Sequence, residues 1–194
     1  MTDLIDRLAG VEGDVHVAAL RDRRAEAKLN AQKSYEALFE PGSPGGVSLV
    51  ERHAVAAFVA GLHRDAEALA FYRRGLGDGA GVAEAIDQEI ERGAASGPYG
   101  RYPEGPLSVE DKGGPVFHVS QSNREKLGAG LAAALEHAHL LVFHPRDANP
   151  AALEALRDAG WSTADIVTLS QLVAFLTFQI RVVAGLRALA SARA

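Results

Sequence analysis

Glu136 and His139 stand three residues apart, which is half of the Glu-x-x-His arrangement that di-iron helical bundles use to hold metal. Such a centre needs a second Glu-x-x-His and two further carboxylates. The sequence has no second copy of the pattern, so no metal site and no cofactor are expected. His137 and His139 are two apart and diverge on a helix, so they do not share one ion. Gln179 and Arg181 interrupt an otherwise apolar stretch. A guanidinium needs a partner if it is inside, so Arg181 reads as a structural ion pair, as a position at the oligomer edge, or as an anion-recognising residue lining a pocket. The glycines of 75–81 have no strand before them and no Lys-Ser/Thr after them, which makes that stretch a helix-connecting turn rather than a phosphate loop.

The chain holds no cysteine, and this excludes disulfides, thiolate metal sites, iron–sulfur clusters and every thiol-based mechanism. Its 194 residues are 47% hydrophobic and 23% charged, enough for one domain with a substantial core, 1–194. Net charge is −5 with no basic block, which argues against a nucleic-acid partner. The opening Met-Thr-Asp-Leu-Ile-Asp-Arg is acidic where a secretory leader is basic and then apolar, so a cytoplasmic location is expected. The apolar run from Ile166 to Leu189 carries Ser170, Gln171, Thr177, Gln179 and Arg181, so a buried helix is expected there rather than a membrane span.

Helices must position these side chains, because capping residues recur before segments with apolar spacing of three and four, while strand alternation is nearly absent. One long helix is expected from Asp14 to Phe39, stopped by Pro41–Gly46. Ser48 with Glu51 forms a capping box for a helix to Leu62, and Asp65 caps a segment through Tyr72. Val82, Ile86 and Ile90 mark a helix ending at Gly93. Ser122 with Glu125 opens the helix that carries Glu136 and His139, Asn149-Pro150 opens the next, and Ser162 with Asp165 opens the last. The last is apolar on nearly every face, so it is expected to be central or interfacial, and the chain to self-associate. Between 94 and 120 glycines and prolines rule out a long helix. That loop carries Tyr99, Arg101, Tyr102, Phe117 and His118, material for covering a pocket or a partner, with Tyr102 a candidate binding residue.

Two stretches carry a family resemblance. Leu49–Ala56 followed by Gly61-Leu62-His63-Arg64-Asp65 and Tyr72, and Pro145–Ala148 through Ala159-Gly160-Trp161-Ser162 to Arg181, together resemble the carboxymuconolactone decarboxylase and alkylhydroperoxidase D superfamily, in its peroxidase-related branch. The resemblance covers roughly half of the chain. It implies an AhpD-like all-α bundle of about six to eight helices with one long Gly/Pro-rich loop, and a homo-oligomer that is a dimer, trimer or hexamer. In the peroxidase members it implies a Glu, a Cys-x-x-Cys pair and a His. If Asp65 takes the first cysteine position, Ala68, His53 and Tyr72 take the others; if Glu51 is the family Glu, the cysteine positions fall on His63 and Ala66. Neither placement retains the cysteine pair, and without thiols no sulfenate or disulfide forms on the chain.

By that resemblance His53, Asp65 and Tyr72, with His63 beside them, occupy the helix junction where family members keep their site. They become candidate catalytic residues for non-thiol acid–base chemistry on a small molecule, with His63, Arg181 and Tyr102 as candidate binding residues. The same residues also read as structural: Asp65 as a helix cap and His63 as an exposed side chain. The functional expectation is therefore an alkylhydroperoxidase-like chain without peroxidase chemistry. Its alternative is a non-catalytic scaffold or partner of a cysteine-bearing paralogue.

Overall fold

The computed structural model describes residues 3–77 and 80–192, and every regular element among them is helical. Nine α-helices follow one another: α1 (Leu4–Ala9), α2 (Val15–Asp22), α3 (Ala25–Phe39), α4 (Leu49–Leu62), α5 (Ala66–Arg73), α6 (Ala80–Arg92), α7 (Gln121–Phe143), α8 (Pro150–Asp158) and α9 (Thr163–Ser191). The all-α expectation holds. The glycine-rich turn begins in a short 3-10 turn, Arg74–Leu76, and residues 78 and 79 of it lie outside the described residues.

Local chemistry sets most of the helix starts. Ser48 accepts from Glu51 N while Glu51 accepts from Ser48 N at 2.8 Å, and Ser162 with Asp165 repeats the box. Asn149 accepts from Ala152 N at 3.1 Å with Pro150 in the first turn. Each such cap stabilises its helix by about 1 kcal/mol. α4 is the central helix: Ala54 to Ala60 have no exposed surface, and it packs against α5, α6, α7 and α9. Burial of Val55, Phe58 and Val59 contributes about 1.5–3 kcal/mol each.

Two expectations are corrected and one helix is added. The helix expected from Asp14 to Phe39 is two, α2 and α3, broken at Arg23 and Arg24. Arg21 is drawn back to Asp3 (2.6 Å) and Asp6 (2.5 Å), which ties α2 to α1. That pull spans 15 and 18 residues and leaves no local mark. α1 was not foreseen; Asp3 caps it and Gly10, at φ 66°, ends it, and Leu4, Ile5 and Leu8 form a second small core with Val17, Ala31, Val183 and Leu186. The cap of α7 is Ser120, not Ser122. Ser120 is held there because its hydroxyl donates to the buried Glu89 carboxylate at 2.6 Å, which also accepts from Asn123 Nδ2 at 2.8 Å. Gly128, at φ 79° and ψ 160°, then kinks α7, a conformation that disfavours any side chain.

The 93–120 segment is a built structure on α7. Tyr99 is buried, stacks on His144 at 4.8 Å and donates to Pro115 O at 2.7 Å. Gly100 and Lys112 exchange backbone hydrogen bonds, Tyr99 N donates to Phe143 O, and Phe117 stacks on His139. These contacts hold the loop as a roof over the C-terminal half of α7 and the start of α8.

Candidate functional site

Beneath that roof lies a cavity of about 630 Å³. α7 faces it with Ala133, Glu136, His137 and Leu140, positions spaced as i, i+3, i+4 and i+7 on one helix side. α8 adds Ala151, Ala152, Ala155 and Leu156, whose placement follows from the Asn149 cap and Pro150. The loop contributes Phe117 as an apolar wall and Arg101, Lys112 and His118 as exposed polar groups. The size falls within the range of small-molecule sites, and the walls are mainly methyl and methylene groups.

Two α7 side chains give the cavity its chemistry. Glu136 Oε1 accepts from Val119 N at 2.9 Å and pairs with the Arg124 guanidinium, and His118 Nδ1 lies 3.7 Å away. His137 is buried, and its Nε2 lies 3.0 Å from Ser170 Oγ on α9. Ser170 donates its hydroxyl hydrogen to Ile166 O at 2.8 Å, so the Ser170 oxygen accepts from the ring. The proton therefore sits on Nε2, and Nδ1, buried without a protein partner, keeps its lone pair. Burial pushes the His137 pKa below the ordinary histidine value, which keeps the ring neutral at neutral pH. At the far wall His144 Nδ1 faces Asp147 Oδ2 at 3.2 Å, and Asp147 Oδ1 accepts from Arg101 N at 2.8 Å.

The residues singled out in the sequence lie elsewhere. His53 Nδ1 donates to Tyr72 O at 3.1 Å, and its ring lies beside Phe39 and Tyr72 in the crevice left by Gly75, where any Cβ would strike it. Burial lowers the His53 pKa. Tyr72 is wholly buried and donates its hydroxyl to Gln179 Oε1, and burial drives its phenol far above the ordinary value. Asp65 caps α5 through Ala68 N at 3.0 Å and pairs with Arg187 at 2.9 Å. His63 Nε2 lies 3.4 Å from Thr177 Oγ1, and burial together with nearby Arg181 lowers its pKa. The structure thus brings His53 to Tyr72, while Asp65 bonds to neither histidine, and none of the four lines the cavity.

Tyr102 is half-buried with the Arg146 guanidinium 4.1 Å above its ring. Arg181 is exposed on the outer side of α9 and is not among the residues that line the cavity. The buried polar residue of that turn is Gln179, because the inward row runs through Leu176, Ile180 and Val183 and position 181 lies one residue, about 100° of rotation, beyond it. Glu136 and His139 also part company. Glu136 faces the cavity, whereas His139 is fully buried, donates from Nε2 to Gly93 O at 3.1 Å and stacks on Phe117, with burial pushing its pKa down to about 4. Among the described residues no group of three or more His, Asp or Glu side chains is placed to hold a metal ion.

The pairing of His137 with Ser170 escaped sequence reasoning. Its trace there is faint: one Ser among several polar interruptions of an apolar helix, and a His among the alanines and leucines of α7. No family model matches the chain, and neither a curated protein nor a solved structure matches it.

Proposed function

We propose that the chain binds a small, largely apolar organic acid in the cavity between α7, α8 and the 93–120 loop, and that His137 serves there as a proton acceptor in thiol-free acid–base chemistry. The observation that carries this reading is the cavity of about 630 Å³ with His137 in its wall, one ring nitrogen of which is tied to Ser170 while the other, Nδ1, is buried beneath the surface without a protein partner. Nδ1 has no accessible surface in this geometry, so the reading requires the His137 ring to turn toward the cavity when the molecule binds; Nδ1 then takes a proton from an acidic C–H or O–H of that molecule and returns it from the imidazolium, leaving the residue unchanged after a turn. Arg101 and Lys112, exposed at the cavity, favour a carboxylate on the ligand, and the alanine and leucine walls favour an apolar body.

The superfamily resemblance belongs to this proposal too. The all-α fold supports it, and the absence of cysteine places any shared activity outside peroxide reduction. A second reading, a non-catalytic scaffold that works by association, is favoured by the exposed outer face of α9.

A thermal-shift titration with benzoate, octanoate and the neutral benzamide tests the first reading. The expected result is a rise in Tm with the two carboxylates and not with benzamide, abolished by the double variant Arg101→Ala/Lys112→Ala and by Ala152→Phe. Stabilisation that survives both variants, or none with either carboxylate, contradicts it.

A further inference from the structure

α9 presents two seams. Its inner row is buried against α4, α7 and α1. Its outer row, Ala164, Val167, Gln171, Ala174, Phe178, Arg181, Gly185 and Ala188, is exposed along its length, at spacings alternating between three and four residues. Val167 and Phe178 leave 51% and 47% of their surface open. This seam is about 36 Å long at 1.5 Å per residue, and its 3–4 spacing is that of a helix-pairing stripe.

We propose that this seam packs antiparallel against the same seam of a second copy, about a two-fold axis between Ala174 and Phe178. The sequence is self-complementary under that operation: Phe178 falls opposite Ala174, Val167 opposite Gly185, Ala164 opposite Ala188 and Gln171 opposite Arg181. All eight positions are used. Large side chains meet small ones, and each Arg181 guanidinium meets a Gln171 side-chain carbonyl that accepts from it. A parallel pair in register instead sets Phe178 on Phe178 and Arg181 on Arg181.

The surface beside the seam fits the same arrangement independently. A groove of about 490 Å³ runs between α3 and α9, lined by Ser34, Ala37, Gln171, Ala174 and Phe175. The partner's ring, arriving over Ala174, drops into that groove, a knob entering a hole.

α9 is also long and apolar enough to cross a membrane, with a mean hydropathy of 1.7 in its most apolar window. The observations favour the second copy. Gln171 and Arg181 break the seam where a lipid face would be continuous, and Gln179 is committed to Tyr72 inside the fold. The proposal does not depend on the cavity reading.

The chain has no cysteine, so engineered thiols report cleanly. Ala164→Cys and Ala188→Cys proteins, mixed in equal amounts under mild oxidation, are expected to form a disulfide-linked mixed dimer, while each alone stays uncrosslinked. In sedimentation equilibrium the unmodified protein is expected to be dimeric and Phe178→Glu to weaken the dimer about 30-fold or more with unchanged helix content. Crosslinking of like with like, a monomeric unmodified protein, or partition of α9 onto phosphatidylcholine/phosphatidylglycerol vesicles with no mixed crosslink would overturn the proposal.

Discussion

His137 Nε2 and Ser170 Oγ lie 3.0 Å apart across the α7–α9 interface, 33 residues distant in sequence, and their hydrogen bond decides which ring nitrogen of His137 carries the proton and which is left without a partner. The Ser170 hydrogen is spent on Ile166 O one turn earlier, so the imidazole must donate. The result is a neutral histidine with a fixed tautomer and an unshared lone pair, held by two packed helices rather than by a loop.

Removing that anchor has a cost that can be read without any ligand. Ser170→Ala leaves the His137 Nε2–H without its acceptor and is expected to destabilise the fold by about 1–3 kcal/mol. Urea unfolding measures the loss, and imidazole nitrogen shifts are expected to show a mixture of His137 tautomers where the parent protein shows one.

Asp65 does two separable jobs. It caps α5 through Ala68 N and holds Arg187, which also reaches Leu8 O and so ties α9 to α1. Asp65→Asn keeps a capping oxygen and loses the ion pair; Asp65→Ala loses both. The alanine variant is expected to cost about 1 kcal/mol more than the asparagine variant, the ordinary worth of a cap, as read by denaturant midpoint at constant m. Equal costs would place all of Asp65's contribution in the ion pair.

Stability is expected to fall as pH drops from 6.5 towards 4. His139 is fully buried with its pKa pushed to about 4 from 6.5, so in that window the unfolded chain binds a proton that the folded chain refuses. The contribution is complete above pH 6.5 and is lost progressively down to the folded value, amounting to about 3 kcal/mol. His53, His63 and His137 are shifted in the same direction and add to the slope. His139→Gln, which keeps a donor for Gly93 O and does not titrate, is expected to flatten the Tm profile across this window; an unchanged slope would assign the effect to the other histidines.

Much of the fold was legible because capping is local. Ser48 with Glu51, Asp65, Asn149 with Pro150, and Ser162 with Asp165 each announce a helix start through residues no more than three apart, and the structure keeps all four. What escaped reading depends on distant partners. Arg21 reaches back to Asp3 and Asp6 and ties α2 to α1 where the sequence shows one continuous helix from 14 to 39, and Glu89 holds Ser120 from 31 residues away. The cavity was half visible: the 94–120 loop was marked as a cover, but Ser170 reads as one polar interruption among several in α9, and nothing local links it to His137. The side to which Arg181 turns was not legible for a related reason, since an all-round apolar helix does not show which of its faces is inward. Its outer face is apolar as well, so the polar residues that ordinarily mark the solvent side are too few to set its orientation.

The most direct test of the cavity reading is the nitrogen chemical shift of His137 Nδ1 followed during titration with benzoate at neutral pH. The account predicts an unprotonated Nδ1 in the free protein and a saturable change at that nitrogen as the ligand fills the cavity, with His53 and His63, which line no part of it, unmoved. A His137 Nδ1 that is already protonated without ligand, or one indifferent to benzoate while His53 or His63 responds, would contradict the assignment and return the site to the α4–α5 junction.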